Sequence, residues 1–185
     1  MAAFLFALTA VLGVSLGGRD QLLAARLAEC LGRRGPLLAV GALASVLSAL
    51  AMAAAGLALT LVLPEPAADM LVALALLFAA AELAWPRRTA LPKEPTASLF
   101  ATLVVLLARQ LGDAARFVVF AFAAGGPAWL AGAGGALGGI GAIAMGVFAG
   151  DELARWPLRT IRLILAAVLL TAAITIALVF RGIIG

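Results

Sequence analysis

Two short polar segments interrupt otherwise apolar stretches of this 185-residue chain, and both carry charge. The first is Ser15-Leu-Gly-Gly-Arg-Asp-Gln21 and the second is Gln110-Leu-Gly-Asp-Ala-Ala-Arg116. A charged residue inside a membrane costs at least about 2.5 kcal/mol on insertion scales, so such residues usually face a partner or a wet cavity. We therefore interpret both segments as candidate parts of an ion or substrate site.

The charges around the second segment allow two interpretations. Arg109, Asp113 and Arg116 stand at positions i, i+4 and i+7, which would place them on one face of a continuous helix. Asp113 could then pair with either arginine, and the stripe would be a structural ion-pair seam between two halves of the protein. The alternative is that the same residues line a transport site. Both interpretations place the stripe inside the helix bundle.

Arg19 and Asp20 in the first segment also have two explanations. The first helix could end at Gly17-Gly18, so that residues 21–34 form an amphipathic helix at the membrane surface with Arg26, Glu29 and Arg33 facing water. Alternatively, Phe4–Leu31 is one element of about 42 Å, which fits a bilayer only if it tilts or breaks at the glycine pair. A broken helix would open backbone groups to an ion.

Composition limits what these segments can do. The chain is 65% hydrophobic and 12% charged, which excludes a soluble globular domain. Histidine is absent and Cys30 is the only cysteine, so proton or metal chemistry must use carboxylates. No nucleophile with a base and no cofactor motif is present, so we expect neither an enzyme nor a bound cofactor. The glycines of Gly134–Gly138 suit close helix packing rather than a nucleotide loop.

Apolar stretches of about 20 residues, each able to cross about 30 Å of hydrocarbon, predict an all-α integral membrane protein with six transmembrane helices. The predicted segments are Phe4–Leu31, Gly35–Leu63, Ala67–Trp85, Thr96–Ala124, Pro127–Gly150 and Leu158–Phe180. Pro36 and Pro66 recur as Pro127 and Pro157, each 91 residues later. Residues 1–90 and 91–185 are therefore predicted to be two three-helix repeats that together form one membrane domain. Because three is odd, the second repeat is inverted, as in many secondary transporters.

The distribution of basic residues predicts the orientation. Nine Lys and Arg follow the first, third and fifth helices: Arg26, Arg33, Arg34, Arg87, Arg88, Lys93, Arg155, Arg159 and Arg162. The opposite side holds only Arg181. Short cytoplasmic loops retain such residues, so we expect a bacterial inner-membrane protein with both termini periplasmic. The net charge of +4 thus reflects loop topology and a lipid partner, not nucleic-acid binding. Glu82, beside Trp85, is expected to reach the cytoplasmic interface.

The two polar segments resemble the motif E-x-G-D-[KR]-[ST] of the Gdt-one family of Golgi and bacterial manganese/calcium transporters, within the LysE-like superfamily. Pro157-Leu-Arg-Thr-Ile-Arg162 and Gln21-Leu-Leu-Ala-Ala are similar to the stretches that surround the family motifs. The resemblance spans nearly the whole chain. It implies that acids of both motifs gather a divalent cation midway across the membrane, with protons as the counter-ion.

In the first motif, Ser15 stands at the glutamate position, Gly17 matches the glycine, Gly18 replaces the aspartate, Arg19 keeps the basic position and Asp20 replaces the hydroxyl residue. The resemblance therefore assigns ion binding to Ser15, Gly17 and Asp20, with Asp20 as a metal ligand.

In the second motif, Gln110 replaces glutamate, Gly112 and Asp113 match, and alanines replace the last two positions. Ion binding is assigned to Gln110, Gly112 and Asp113, with Asp113 as the second metal ligand. Arg109 and Arg116 flank the motif and, with Arg19, are expected to gate or pair charges. Two aspartates and three arginines would give the site a net charge of +1, which disfavours a divalent cation.

Three functions follow from these observations. The leading prediction is a secondary transporter of the manganese or calcium/proton exchanger type with a degenerate ion site. An anion or zwitterion transporter on the same fold is the second, because of the arginine excess. The third is a non-transporting membrane subunit held by Arg/Asp pairs, within a homo-oligomer or beside a competent homologous partner.

Overall fold

The computed structural model describes residues 1–86 and 98–180, apart from the side chains of Gly150, Asp151 and Ala154. The secondary structure of these residues is α-helical: α1 (Ala2–Val14), α2 (Arg19–Leu31), α3 (Arg34–Val62), α4 (Glu65–Ala84), α5 (Leu99–Leu111), α6 (Ala114–Ala124), α7 (Ala128–Ala154) and α8 (Leu158–Phe180). Three predicted loop residues, Arg87, Arg88 and Lys93, lie outside the described residues, as does Arg181.

Four of the described helices, α3, α4, α7 and α8, are long and apolar enough to cross a membrane. The pair α1 and α2 also qualifies as one span bent by 64°, which makes five. Helices α5 and α6 are apolar but shorter. The prediction of an all-α membrane-embedded protein is thus confirmed, with four or five candidate spans among the described helices.

The surface of the bundle is apolar, as lipid contact requires. Along α8 only Arg162, Ala166 and Ala173 are buried. Large side chains such as Val62 and Phe100 are mostly exposed. A hydrophobic residue costs nothing against lipid tails, so such helices associate through packing and polar contacts between them.

The first predicted helix breaks at its glycine pair. Gly17 has a positive φ of 67°, a conformation that favours glycine, and Gly18 starts α2 in extended conformation. Helix α2 buries a broad apolar face against α7 and α3, while Arg26 and Glu29 are exposed. The broken-helix interpretation of Phe4–Leu31 describes this arrangement, and α2 is packed into the bundle.

The predicted helix that carries the second polar segment, Thr96–Ala124, is also broken. The sequence interpretation did not predict this break. Helix α5 ends at Leu111, and Asp113 is the extended residue that precedes α6. Arg109 therefore belongs to α5 and Arg116 to α6. The predicted stripe of Arg109, Asp113 and Arg116 on one helical face is wrong, because the face is not continuous through the break.

Helix α7 lies at the centre, in contact with α1, α2, α3 and α6. Its glycines permit close approach: a β-carbon at Gly134 would collide with the carbonyl oxygen of Phe4, and one at Gly138 would lie 2.7 Å from that of Leu8. The packing role predicted for Gly134–Gly138 is confirmed at these two positions. On the other flank, α4 packs against α8 and α6.

We expect Gly134→Ala to lower the thermal stability of the detergent-solubilised protein, because the backbone of α1 must move away from α7. Overpacking of this kind costs about 1–3 kcal/mol. The matched control is Gly13→Ala in α1, where an added β-carbon meets nothing within 4 Å. Equal melting temperatures for the two variants would show that the α1–α7 contact is looser than described.

Candidate transport site

The two helix breaks meet at one small cavity of about 20 Å³. That volume suffices for a water molecule or a single ion. Its described lining comes from both breaks and from α3 and α7: Ser15, Gly18, Asp20, Gln21, Ser45, Gln110, Asp113, Ala115, Arg116, Gly139, Ala142 and Ile143. Residues that are about 90 positions apart in the chain thus share one polar site.

Five of the predicted site residues line this cavity: Ser15, Asp20, Gln110, Asp113 and Arg116. The other four do not. Gly17 and Arg19 line a separate pocket on the opposite side of the first break, and neither Gly112 nor Arg109 is part of the described lining.

The predicted net charge of +1 is therefore wrong for the described cavity lining. Its charged members are Asp20, Asp113 and Arg116, which sum to −1. The predicted charge included Arg19 and Arg109, which are not among the described residues that line the cavity. The corrected charge favours a cation over an anion.

At the first break, Gln21 satisfies the exposed backbone. The Gly17 amide donates to Oε1 of Gln21 at 2.8 Å, and Nε2 of Gln21 donates to the Ala142 carbonyl at 3.0 Å. Only 1% of Gln21 is exposed. Gln21 thus joins the break to α7, a role that the sequence interpretation did not assign to it.

At the second break, Arg116 and Gln110 form a buried network with α3. Arg116 donates from Nε to Ser48 Oγ at 2.8 Å and from Nη2 to Gln110 Oε1 at 3.1 Å. Ser48 donates to the same Gln110 oxygen at 2.6 Å, and Gln110 Nε2 lies 3.4 Å from Ser45 Oγ. The network fixes the orientation of both motif side chains.

Two residues of this network were not found from the sequence. Ser45 and Ser48 lie three positions apart in the apolar helix α3 and both are buried. Two hydroxyls on one helical face were the available signal. Gly139 makes room for them, since a β-carbon there would lie 2.9 Å from Arg116 Nη2 and 3.0 Å from Ser45 Oγ.

The charges of the cavity act on one another directly. Asp113 and Asp20 both interact electrostatically with Arg116, which is 2% exposed. Arg116 Nη1 is buried and has no hydrogen-bond partner among the described residues. The guanidinium therefore occupies the middle of the site with one donor group uncommitted.

The described residues contain no group of three or more His, Cys, Asp or Glu side chains that could hold a metal ion. The two predicted metal ligands, Asp20 and Asp113, nevertheless reach the same cavity from opposite breaks. Gln110, Ser15 and Ser45, whose side chains carry amide and hydroxyl oxygens, also line the cavity. Such hard oxygen donors suit protons and cations such as calcium or manganese.

Arg162 and Glu82 form a buried ion pair beside the first break. Arg162 Nη2 lies 3.3 Å from Glu82 Oε2, and the two side chains are 9% and 10% exposed. Arg162 Nη1 also donates to the Gly17 carbonyl at 3.4 Å. Glu82 thus binds an arginine of α8, a partner that the sequence interpretation did not assign to it, and its position at the cytoplasmic interface stays a prediction. Arg162 is correspondingly a helix residue and not a loop residue.

Removing one partner of the Glu82–Arg162 pair should destabilise the protein more than removing both. A buried charge left alone costs about 3–5 kcal/mol, whereas an uncharged pair of similar shape is close to neutral. We expect Arg162→Met to lower the melting temperature strongly and Glu82→Gln/Arg162→Met to recover most of the loss. Additive effects of Glu82→Gln and Arg162→Met would show that the pair is not coupled.

No family model, curated protein or solved structure matches this chain. The resemblance to the Gdt-one family stays a prediction from its motif residues.

Proposed function

We propose that this protein is a secondary transporter whose substrate site is the cavity between the two helix breaks. The observation that carries the proposal is that Asp20 and Asp113, one from each break, line one small cavity. Ionisable residues inside a membrane protein that face a cavity typically mark ion or proton pathways. Discontinuous helices at the middle of a bundle are how many transporters bind ions.

The helix order supports two inverted repeats with six spans in all. Each half runs through two short helices and then two long ones, α1–α2–α3–α4 and α5–α6–α7–α8. Equivalent helices also pack alike: α2 contacts α7 as α6 contacts α3, and α1 contacts α7 as α5 contacts α3. If α1–α2 and α5–α6 each count as one broken span, each half has three spans. Because three is odd, the two halves enter the membrane from opposite sides.

We infer a cation as cargo, exchanged for protons. The cavity lining carries a net charge of −1, and its uncharged members offer oxygen ligands. Carboxylates that bind a cation when ionised release it when protonated, which couples the two fluxes in opposite directions. Arg116 acts as a tethered counter-charge that keeps the two carboxylates stable while the site is empty. Calcium or manganese is the cargo that the motif resemblance favours.

The basic helix ends set the orientation in the membrane. Arg26, Arg33 and Arg34 surround the α2–α3 junction, and Arg159 lies at the start of α8. Placing these ends in the cytoplasm follows the positive-inside rule and leaves both termini in the periplasm of a bacterial inner membrane.

The central test uses proteoliposomes that contain a pH dye and a metal-sensitive dye, challenged with manganese or calcium. Wild-type protein should move metal inward and protons outward. Asp113→Asn should reduce the metal flux at least about tenfold, because the neutral amide no longer alternates between proton and cation. Asp69→Asn is the matched control, since Asp69 lies near the start of α4 and outside the cavity lining.

Two outcomes would contradict the exchanger. Metal flux that survives Asp113→Asn would remove the cavity from the pathway. Silence toward both metals in folded wild-type protein would leave the zwitterion transporter or the non-transporting subunit as the better explanation.

Zwitterion transport is the second candidate, and the uncommitted Nη1 of Arg116 favours it. A small amino acid could place its carboxylate on that donor and its ammonium group between Asp20 and Asp113. The cavity would have to widen for this, because about 20 Å³ holds no more than an ion or water.

Arg116→Gln separates the two cargoes. In a cation exchanger this variant should retain metal flux and bind the metal more tightly, because it removes the competing positive charge. In a zwitterion transporter it should abolish uptake of labelled amino acid, because the carboxylate loses its partner. Size-exclusion profile and melting temperature provide the folding control for either result.

A further inference from the structure

A second pocket lies on the other side of the first helix break, and its chemistry differs from that of the central cavity. It has a volume of about 210 Å³. Its described lining comes from the ends of α2, α4 and α8: Gly17, Arg19, Leu22, Ala84, Trp85, Pro86, Arg159, Arg162 and Leu163. Gly17 lines this pocket while Gly18 lines the central cavity, so the break itself separates the two spaces.

The charge of this pocket is strongly positive. Arg19, Arg159 and Arg162 all line it, and the lining holds no carboxylate among the described residues. Arg162 is paired with Glu82, but neither Arg19 nor Arg159 has an ion pair with a described side chain. Both of these arginines are exposed. Two guanidinium groups in one concave surface are thus available to an anion.

Backbone dipoles reinforce this charge. Arg19 is the first residue of α2, and Arg159 is the second residue of α8. Unpaired N–H groups and the helix dipole make each N-terminus electropositive. The start of both helices at the same pocket adds to the attraction that the arginines exert.

The remaining lining is apolar and points to the form of the ligand. Leu22, Ala84 and Leu163 share the pocket with Trp85, which is 69% exposed at the end of α4. An exposed tryptophan at the end of an apolar helix is typical of the boundary between headgroups and hydrocarbon. Arginine binds phosphate through two parallel hydrogen bonds, and basic pockets between membrane helices bind anionic headgroups.

We propose that the pocket formed by Arg19, Arg159, Arg162 and Trp85 binds a phosphate group, supplied by an anionic phospholipid headgroup or by free phosphate. The arginines hold the phosphate oxygens, and in the lipid case Leu22 and Leu163 contact the start of the acyl chains. This site is independent of the transported cargo, because its lining shares no residue with the central cavity.

Binding is measured on the intact protein in neutral detergent by native mass spectrometry and by the shift of the melting temperature. Three probes are compared: phosphatidylglycerol, phosphatidylcholine and inorganic phosphate. Wild-type protein should retain phosphatidylglycerol in preference to phosphatidylcholine. Stabilisation by inorganic phosphate alone would identify free phosphate as the source and would equally support the site.

The decisive variant is Arg19→Gln/Arg159→Gln, which leaves the Glu82–Arg162 pair intact. It should lower the affinity for the preferred phosphate probe at least about tenfold, since each arginine contributes charge-assisted hydrogen bonds. The matched control, Arg26→Gln/Arg33→Gln, removes the same charge from exposed residues outside the pocket and should bind as wild type does.

Unchanged phosphate binding by Arg19→Gln/Arg159→Gln would overturn the proposal. Equal losses in that variant and in the control would do so too, because they would show a general charge effect. A wild-type protein that binds neither phosphatidylglycerol above phosphatidylcholine nor inorganic phosphate would also overturn it.

Discussion

A helix that breaks inside an apolar bundle exposes backbone donors and acceptors that lipid cannot satisfy, and each unsatisfied group costs several kcal/mol. This chain breaks two helices, and at the first break side chains satisfy the exposed backbone groups. The Gly17 amide binds Gln21 and the Gly17 carbonyl binds Arg162. Most polar residues that the bundle buries serve one of the two breaks. The buried polar residues are therefore grouped around the breaks and are not scattered through the apolar core.

The same constraint explains why the centre of the protein carries charge. Arg116 is buried at the second break, where a lone guanidinium would be prohibitively costly. Ser48 and Gln110 accept its hydrogen bonds, and Asp20 and Asp113 supply opposing charge from both breaks. The two halves of the chain are thus coupled at the level of electrostatics. The charge of either carboxylate therefore contributes to the electrostatic environment of the buried Arg116.

Much of the fold could be predicted because lipid imposes a length on apolar helices. The segments predicted for α3, α4, α7 and α8 agree with the structure to within a few residues. The break at Gly17-Gly18 was also within reach, since two adjacent glycines mark a weak point. The break at Gly112 was missed, although Gly112 ends α5 and Asp113 is the N-cap of α6, positions at which glycine and aspartate are common. Once that break was missed, Arg109 of α5 and Arg116 of α6 were wrongly placed on one continuous helical face.

The site was predicted less completely than the fold, for a related reason. Motif spacing brought Asp20, Asp113, Gln110 and Arg116 to attention, and the cavity lining contains all four. Spacing does not reveal partners from distant helices. Ser48 lies 62 residues from Gln110, and Glu82 lies 80 residues from Arg162. The predicted charge of the site also included Arg19 and Arg109, which are not among the described lining residues, so its sign differs from that of the lining.

The first break also lies between two spaces of opposite charge. The cavity with a net negative lining lies on one side of Gly17-Gly18, and the arginine pocket lies on the other. A β-carbon at Gly17 would meet Leu158 Cβ at 3.1 Å, so the start of α8 rests directly on the break. Arg162 on the same helix binds the Gly17 carbonyl and pairs with Glu82 of α4. Any displacement of α8 relative to α4 must therefore strain or release the break, and with it the position of Asp20 three residues on. The packing of α4 against α8 in this way supports the first break and the central cavity next to it, although neither helix contributes to the described lining of that cavity.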